Sequence, residues 1–280
     1  MGGLISKART FLDYAKREAG IGANLRSTCL LASMLLRYKL RSILGLNGDN
    51  LYTVQIRFGK FQRSLHFRDQ DIFIVHEVYA GNVYMFDALK EEPPGCIVDL
   101  GAHIGLATLR FKTAFPKAVI HCYEPDPDNF RLLELNTKGL DGVVLHQEAV
   151  GDVSGDAVFY VHPQRHTAST LKRGSQDEPV VESRCVVRSL DHILSQIGDV
   201  DLVKFDIEGS EYEVFSHSRN IHRVKLVVGE MKALPKELTR FLELFLSHEF
   251  QYRSVTSKMH LIALRRKPLT VVSAATTNDC

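Results

Sequence analysis

Apolar and polar residues alternate through positions 51–58 and 61–67 on either side of Gly59-Lys60, the period-two pattern of a β-hairpin. Residues 71–89 then repeat apolar positions at helical spacing, and Pro93-Pro94-Gly95 breaks that helix. Beyond the break, short apolar runs take turns with helical periods. Strands are predicted at 96–100, 119–124, 143–147, 202–205 and 224–229, with helices at 104–115, 128–138 and 236–246. Asp128 is read as the cap of the second helix. This alternation predicts an α/β fold built on a doubly wound, mostly parallel sheet.

Residues 157–161 and 181–188 are also strand-like, and a polar, proline-bounded stretch at 162–179 separates them. A connection of that length in a compact domain points to a functional loop, here expected to be mobile and to shape the choice of substrate. Residues 252–256 and 259–264, joined by Ser257-Lys258, pair as a last hairpin, and 268–280 lacks any period and reads as a mobile tail. The domain reading is therefore an extension at 1–50, a hairpin and helix at 51–92, the main domain at 93–267, and the tail.

The first fifty residues carry eight Lys or Arg against three Asp or Glu, and Leu31, Met34, Leu35 and Tyr38 recur at helical spacing. Such a basic amphipathic helix either caps the core or makes peripheral contact with an anionic membrane. No run approaches the roughly twenty apolar residues of a membrane span. Met1-Gly2-Gly3-Leu4-Ile5-Ser6 fits a myristoylation pattern, which has meaning only in a eukaryotic cytosol.

With 280 residues and 45% hydrophobic content, the chain can bury one substantial core. A net charge of +2, with both signs intermixed after residue 50, gives no stripe for nucleic acid. The five cysteines are scattered and without Cys-x-x-Cys spacing, which argues against disulfides or a zinc site and for a cytoplasmic setting. Oligomeric state has no signature in the sequence.

Three predicted strands end in acidic or glycine residues: Asp99-Leu100-Gly101-Ala102-His103-Ile104-Gly105, Tyr123-Glu124-Pro125, and Asp206-Ile207-Glu208-Gly209. In an open parallel sheet, ligands bind outside the carboxyl ends of strands, so these ends converge on one cleft. Gly101 and Gly105 permit a tight turn into a helix whose amino end faces the ligand. A dinucleotide site needs Gly-x-Gly-x-x-Gly with a middle glycine beside the pyrophosphate, whereas Asp99 repels phosphate and suits a cation. Glu124 is placed to accept hydrogen bonds from ribose hydroxyls. The ligand these features fit is an adenosine carrying a positive, phosphate-free tail.

Five segments in order carry a family resemblance: Asp99 to Gly105, Tyr123-Glu124-Pro125-Asp126-Pro127-Asp128-Asn129-Phe130, Glu148-Ala149-Val150-Gly151-Asp152, Ser189-Leu190-Asp191, and Lys204-Phe205-Asp206-Ile207-Glu208-Gly209-Ser210-Glu211. Together they resemble the FkbM family of class I S-adenosylmethionine-dependent methyltransferases, over about residues 77–264. His103 departs from the asparagine more usual there. The resemblance implies a Rossmann-like seven-stranded sheet ending in an antiparallel hairpin, and S-adenosyl-L-methionine as cofactor. It also implies O-methylation of a sugar, glycolipid or secondary metabolite as the activity.

Asp99 can orient the amino group of the methionine moiety directly or through backbone and water, Gly101, Ala102, His103 and Gly105 form the cofactor turn beside it, Glu124 and Pro125 are placed for the ribose, and by the resemblance Glu148 and Ala149 meet the adenine edge. Glu77, Tyr79 and Tyr84 border the methionine end by the same resemblance, unless they only pack the amino-terminal helix onto the sheet. Asp206 faces the reacting centre. A sugar hydroxyl is too weakly acidic to react readily unaided, so a base is expected, either Asp206 or a loop histidine such as His162 or His166. Glu230 can instead join Asp206 around magnesium, although two separated carboxylates do not assign a metal. The partner is then a small-molecule or glycan acceptor. Two other classes stay open: a nicotinamide-dependent oxidoreductase, disfavoured by Asp99, and a non-catalytic membrane adaptor that keeps the cofactor fold.

Overall fold

The computed structural model describes residues 21–44, 50–58, 60–80, 83–162, 170–171, 180–232, 235–246, 248–254 and 259–266. Helix α1 (Leu25–Leu44) precedes a hairpin of β1 (Leu51–Phe58) and β2 (Phe61–Arg68), paired in register from Leu51↔Arg68 to Phe58↔Phe61. Leu31 and Met34 of α1 are buried against Ile56 and Leu65 of the hairpin. This part of the apolar stripe of α1 lies in the core. Asn136 docks the hairpin on the main domain, accepting from the His66 amide at 2.7 Å and donating to the carbonyls of His66 and Ile104.

The helix expected at 71–89 is not continuous. A short α2 (Ile72–Val75) runs into a wide turn at His76–Ala80, and α3 (Ala88–Glu91) follows after an irregular stretch. Ile72, Val75, Val78, Tyr79, Tyr84 and Leu89 are all buried. The stretch is rich in β-branched residues, which are weak helix formers, so burial of individual side chains overrides the helical period.

Strand β3 (Cys96–Leu100) opens the main sheet, followed by α4 (Leu106–Ala114), β4 (Val119–Tyr123), α5 (Pro127–Thr137) and β5 (Val143–His146). The cap of α5 is Asp126 rather than Asp128, accepting from the amides of Asp128 and Asn129. Pro127 explains the difference: it occupies the first helical turn and forces the residue before it into extended geometry, leaving Asp126 as the cap.

A side sheet comes next: β6 (Ala149–Gly151), β7 (Gly155–Val161) and β8 (Val181–Ser189), in the order β6-β8-β7. The chain then re-enters the main sheet through α6 (Leu190–Ile197), β9 (Leu202–Phe205), α7 (Glu211–Ser216), β10 (Leu226–Lys232), α8 (Pro235–Glu243), β11 (His248–Ser254) and β12 (Met259–Arg266). The main sheet has seven strands in the order β11-β12-β10-β9-β3-β4-β5. Its five inner and β5-side strands are parallel, and the final β11–β12 hairpin inserts antiparallel beside β10, as expected.

Both faces of the sheet are covered. Ile97, Ile120, Cys122 and Leu202 fall in one buried cluster with residues of α1, the hairpin, α4 and α5, while Val98, Leu100, Val203 and Phe205 fall in a second with Leu190, Phe215 and Phe241. That is why the central strands read as unbroken apolar runs. Order reverses between β3 and β9, so the crevice at their carboxyl ends is the place for a ligand. Among the described residues no helix is long and apolar enough to cross a membrane. The described cysteines, Cys29, Cys96, Cys122 and Cys185, are free.

Candidate active site

At that crevice lies an open cleft of about 830 Å³. Its wall includes Tyr84, Gly101, Ala102, His103, Glu124, Pro125, Glu148, Ala149 and Asp206, nine of the positions picked out in the sequence. The turn leaving β3 can exist only because of glycine. Gly101 has φ +75°, and a Cβ there would lie 1.9 Å from the carbonyl oxygen of Asp206. The β3 turn and the end of β9 therefore touch backbone to backbone. Gly105, with φ +87°, faces away from the cleft and would press a Cβ into Leu133.

Glu124 is 5% exposed and held by three donors. Its Oε2 accepts from the His103 amide at 2.8 Å, and its Oε1 from the Asp126 amide at 3.0 Å and the Asn129 side chain at 3.3 Å. A carboxylate has about four acceptor positions, so one remains, on Oε2, for a ligand hydroxyl. Burial and then the charge of Asp126 push the Glu124 carboxyl up to about 7, against the pull of its donors.

Asp99 does not line the cleft. It is fully buried beneath the turn, accepting from the Thr108 hydroxyl at 2.8 Å and paired with Lys204 Nζ at 3.0 Å. From there the route open to it toward the cleft is through the backbone turn it underlies. Lys204 also donates to the carbonyls of Gly101 at 2.7 Å and Leu100 at 3.4 Å, and its ammonium stands 5.2 Å from the Tyr84 ring centre. Burial alone would lower its pKa, but Asp99 and Asp206 outweigh burial and hold it above its usual value.

Tyr84 donates its hydroxyl to Asp206 Oδ2 at 3.0 Å. Burial, then the charges of Asp206 and Glu230, keep that phenol protonated, so it acts here as a donor. Glu208, in the left-handed region at φ 52°, and Gly209, at φ +87°, turn the chain after β9 and leave both Asp206 and Glu208 on the cleft wall. Glu211 instead accepts from the Gly209 amide at the start of α7.

Glu148 lines the cleft but is tied to Arg188 by bonds of 3.0 and 2.9 Å from Nε and Nη2 to one carboxylate oxygen. Tyr123, also on the wall, stacks on His146 with ring centres 4.4 Å apart. His103 also takes positive φ, 52°, and its ring points to Asp71, with Nε2 3.5 Å from Oδ1. Burial pulls that imidazole down to about 4, so it is neutral near pH 7.

Glu77 and Glu230 stand off the wall, although Glu230 is close enough for its charge to act on Tyr84. Tyr79 is buried in the core. His166 lies outside the described residues, and within the 162–179 loop the described residues are His162, Thr170 and Leu171. Leu171 reaches the cleft wall, and the Thr170 hydroxyl donates to the Glu208 carbonyl at 3.1 Å. Among the described residues no group of three or more His, Cys, Asp or Glu side chains is arranged to hold a metal ion.

Sequence reasoning missed Lys204 and Asn129 as members of the site. A lysine inside the apolar run Leu202-Val203-Lys204-Phe205 was the signal for the first, because a buried cation needs a buried partner. Nothing local marks Asn129.

The family model described as the methyltransferase FkbM domain matches residues 99–254. Among curated relatives, Methyltransferase 1 of Beauveria bassiana is 28% identical over 51% of this chain and 65% of its own length. The 2-O-methyltransferase NoeI of Sinorhizobium fredii is 30% identical over 46% of this chain and 59% of its own. The 31-O-demethyl-FK506 methyltransferase FkbM of Streptomyces tacrolimicus is 26% identical over 69% of this chain and 89% of its own. The chain thus spans less than two thirds of the length of the first two relatives.

Proposed function

The chain belongs to the FkbM methyltransferase family, and on that premise we propose that it transfers the methyl group of S-adenosylmethionine to a hydroxyl of a sugar, glycolipid or secondary metabolite. The observation that carries the reading is one cleft bringing a ribose-type acceptor, Glu124 at the end of β4, against an acidic strand end, Asp206 on β9. Asp206 and Glu208 favour a cation in that cleft, as a sulfonium and an ammonium are, and disfavour a pyrophosphate. The names of NoeI and of the Streptomyces relative specify oxygen as the methylated atom, which supports a hydroxyl acceptor here.

S-adenosylmethionine, when bound, supplies the electrophilic methyl group. Glu124 would hold its ribose, Ala149 and the free oxygen of Glu148 its adenine side, and the Gly101-Ala102 backbone its methionine side. Methyl transfer is an in-line displacement, so the residues act chiefly by alignment. Asp206 would orient the acceptor hydroxyl and take its proton, while the Tyr84 hydroxyl keeps Oδ2 in place and leaves Oδ1 to the acceptor. Incubating the protein with methyl-labelled S-adenosylmethionine and hydroxylated metabolite fractions tests this. Label in an alkali-stable methyl ether supports the proposal, and label confined to nitrogen or carbon overturns the hydroxyl assignment.

Peripheral membrane contact belongs to the same proposal only as an electrostatic contact. Leu31 and Met34 are buried, whereas Arg26 and Arg37 of α1 are exposed and could meet an anionic surface.

A further inference from the structure

We infer that Arg68 and Asp71, which precede the matched family segment, are positioning residues for Glu124 and make the amino-terminal hairpin part of the ribose site. The inference rests on the cofactor reading of the cleft.

The geometry is a chain of buried polar contacts that ends on Glu124. Arg68, the last residue of β2, is 4% exposed and pairs with Asp71 through Nε at 2.9 Å and Nη2 at 3.2 Å. Its Nη2 also donates to Asn129 Oδ1. A guanidinium has no acceptor, so it fixes which end of the Asn129 amide faces it. The amide nitrogen must then point the other way, where it donates to Glu124 Oε1. From the opposite side the His103 amide holds Glu124 Oε2, and the His103 ring rests against Asp71. Asp71, Arg68, Asn129 and Glu124 thus form one buried chain of hydrogen bonds, beside which the neutral His103 ring lies with Nε2 3.5 Å from Asp71 Oδ1.

This arrangement has a consequence for binding. With three of four acceptor positions on Glu124 taken, a ribose hydroxyl reaches the remaining one only while the carboxylate is kept in this rotation. Arg68 sets the rotation through Asn129, and Asp71 sets it by holding Arg68. Removing Arg68 frees the Asn129 amide to turn its oxygen toward Glu124, which replaces a donor by a repelling acceptor.

The test reads ribose recognition rather than overall affinity. Calorimetry on the full chain compares S-adenosylhomocysteine with its 2′,3′-dideoxy analogue for the wild type, Arg68→Met, and Arg68→Met combined with Asp71→Asn. The double variant removes both buried charges, so it stays informative where the single one, which strands Asp71, does not fold. The wild type is expected to prefer the ribose form by about tenfold or more, the scale for hydrogen bonds to a charged acceptor. The folded variants should bind both ligands within about threefold of each other, and the dideoxy analogue as the wild type does. Wild-type preference retained in a folded variant would overturn the inference while leaving the cofactor reading intact. Failure of the wild type to bind S-adenosylhomocysteine would overturn the cofactor reading, and this inference with it.

Discussion

Asp99 and Lys204 face each other across β3 and β9 at a register-paired position, with carboxylate and ammonium 3.0 Å apart and both side chains buried. Through that pair the lysine reaches the Gly101 carbonyl, so the turn that opens the cleft is held by a charge supplied from the neighbouring strand. Lys204→Met leaves Asp99 buried and unpaired, which should cost about 3–5 kcal/mol in urea unfolding. Adding Asp99→Asn should recover most of that loss. No recovery in the double variant would mean that Lys204 stabilises through its bonds to the Gly101 and Leu100 carbonyls rather than through Asp99.

Gly101→Ala should be among the most damaging small substitutions in the chain. The added Cβ meets backbone, not a side chain that can swing away, and the φ of +75° is itself unfavourable for alanine. Expression of folded protein, followed by thermal unfolding, checks this. By contrast Gly139→Ala, with open space around its Cβ, should cost only the strain of a positive φ of 73°.

Much of the sheet was legible because its strands are buried on both faces and their sequences are apolar from end to end, as in residues 202–205 with the one exception of Lys204. The glycine turn and Glu124 were legible because their chemistry sits in local sequence. The break in the 71–89 helix was not, since it follows from where Tyr84 and Leu89 find partners. The Arg68 contact with Asn129 spans 61 positions, and no local pattern encodes such a contact. The placing of β6, β7 and β8 in a separate sheet likewise depends on pairing that apolar runs do not specify.

Binding of a cation should be linked to ionisation of Glu124. Its folded-state pKa, about 7, lies above the ordinary 4.5, so the folded chain binds the proton more tightly than the unfolded one. The contribution of this group to stability is therefore fully present below pH 4.5 and is lost as pH rises through about 7. A cationic ligand favours the ionised form, so binding at pH 6 should release protons and affinity should rise toward pH 8. Calorimetry in two buffers of different ionisation enthalpy counts the protons, and Glu124→Gln should remove the release.

Asp206→Asn should keep most of the cofactor affinity and lose turnover by about 10²–10⁴-fold, the usual cost of a missing general base. Where Asp206 acts as the base alone, Glu230→Gln and a chelator leave the rate within about threefold of normal. A chelator-sensitive rate restored by magnesium would reassign Asp206 and Glu230 to a metal, and near-normal turnover by Asp206→Asn would remove the residue from the chemical step.

The most direct test of the cleft is calorimetric titration of the purified chain with S-adenosylmethionine, with a nicotinamide dinucleotide as the control. One site that takes S-adenosylmethionine, rejects the dinucleotide, and weakens by about 1.5–3 kcal/mol in folded Glu124→Ala is the result this account predicts. No heat from S-adenosylmethionine, an equal affinity for the dinucleotide, or an unchanged affinity in Glu124→Ala would contradict it.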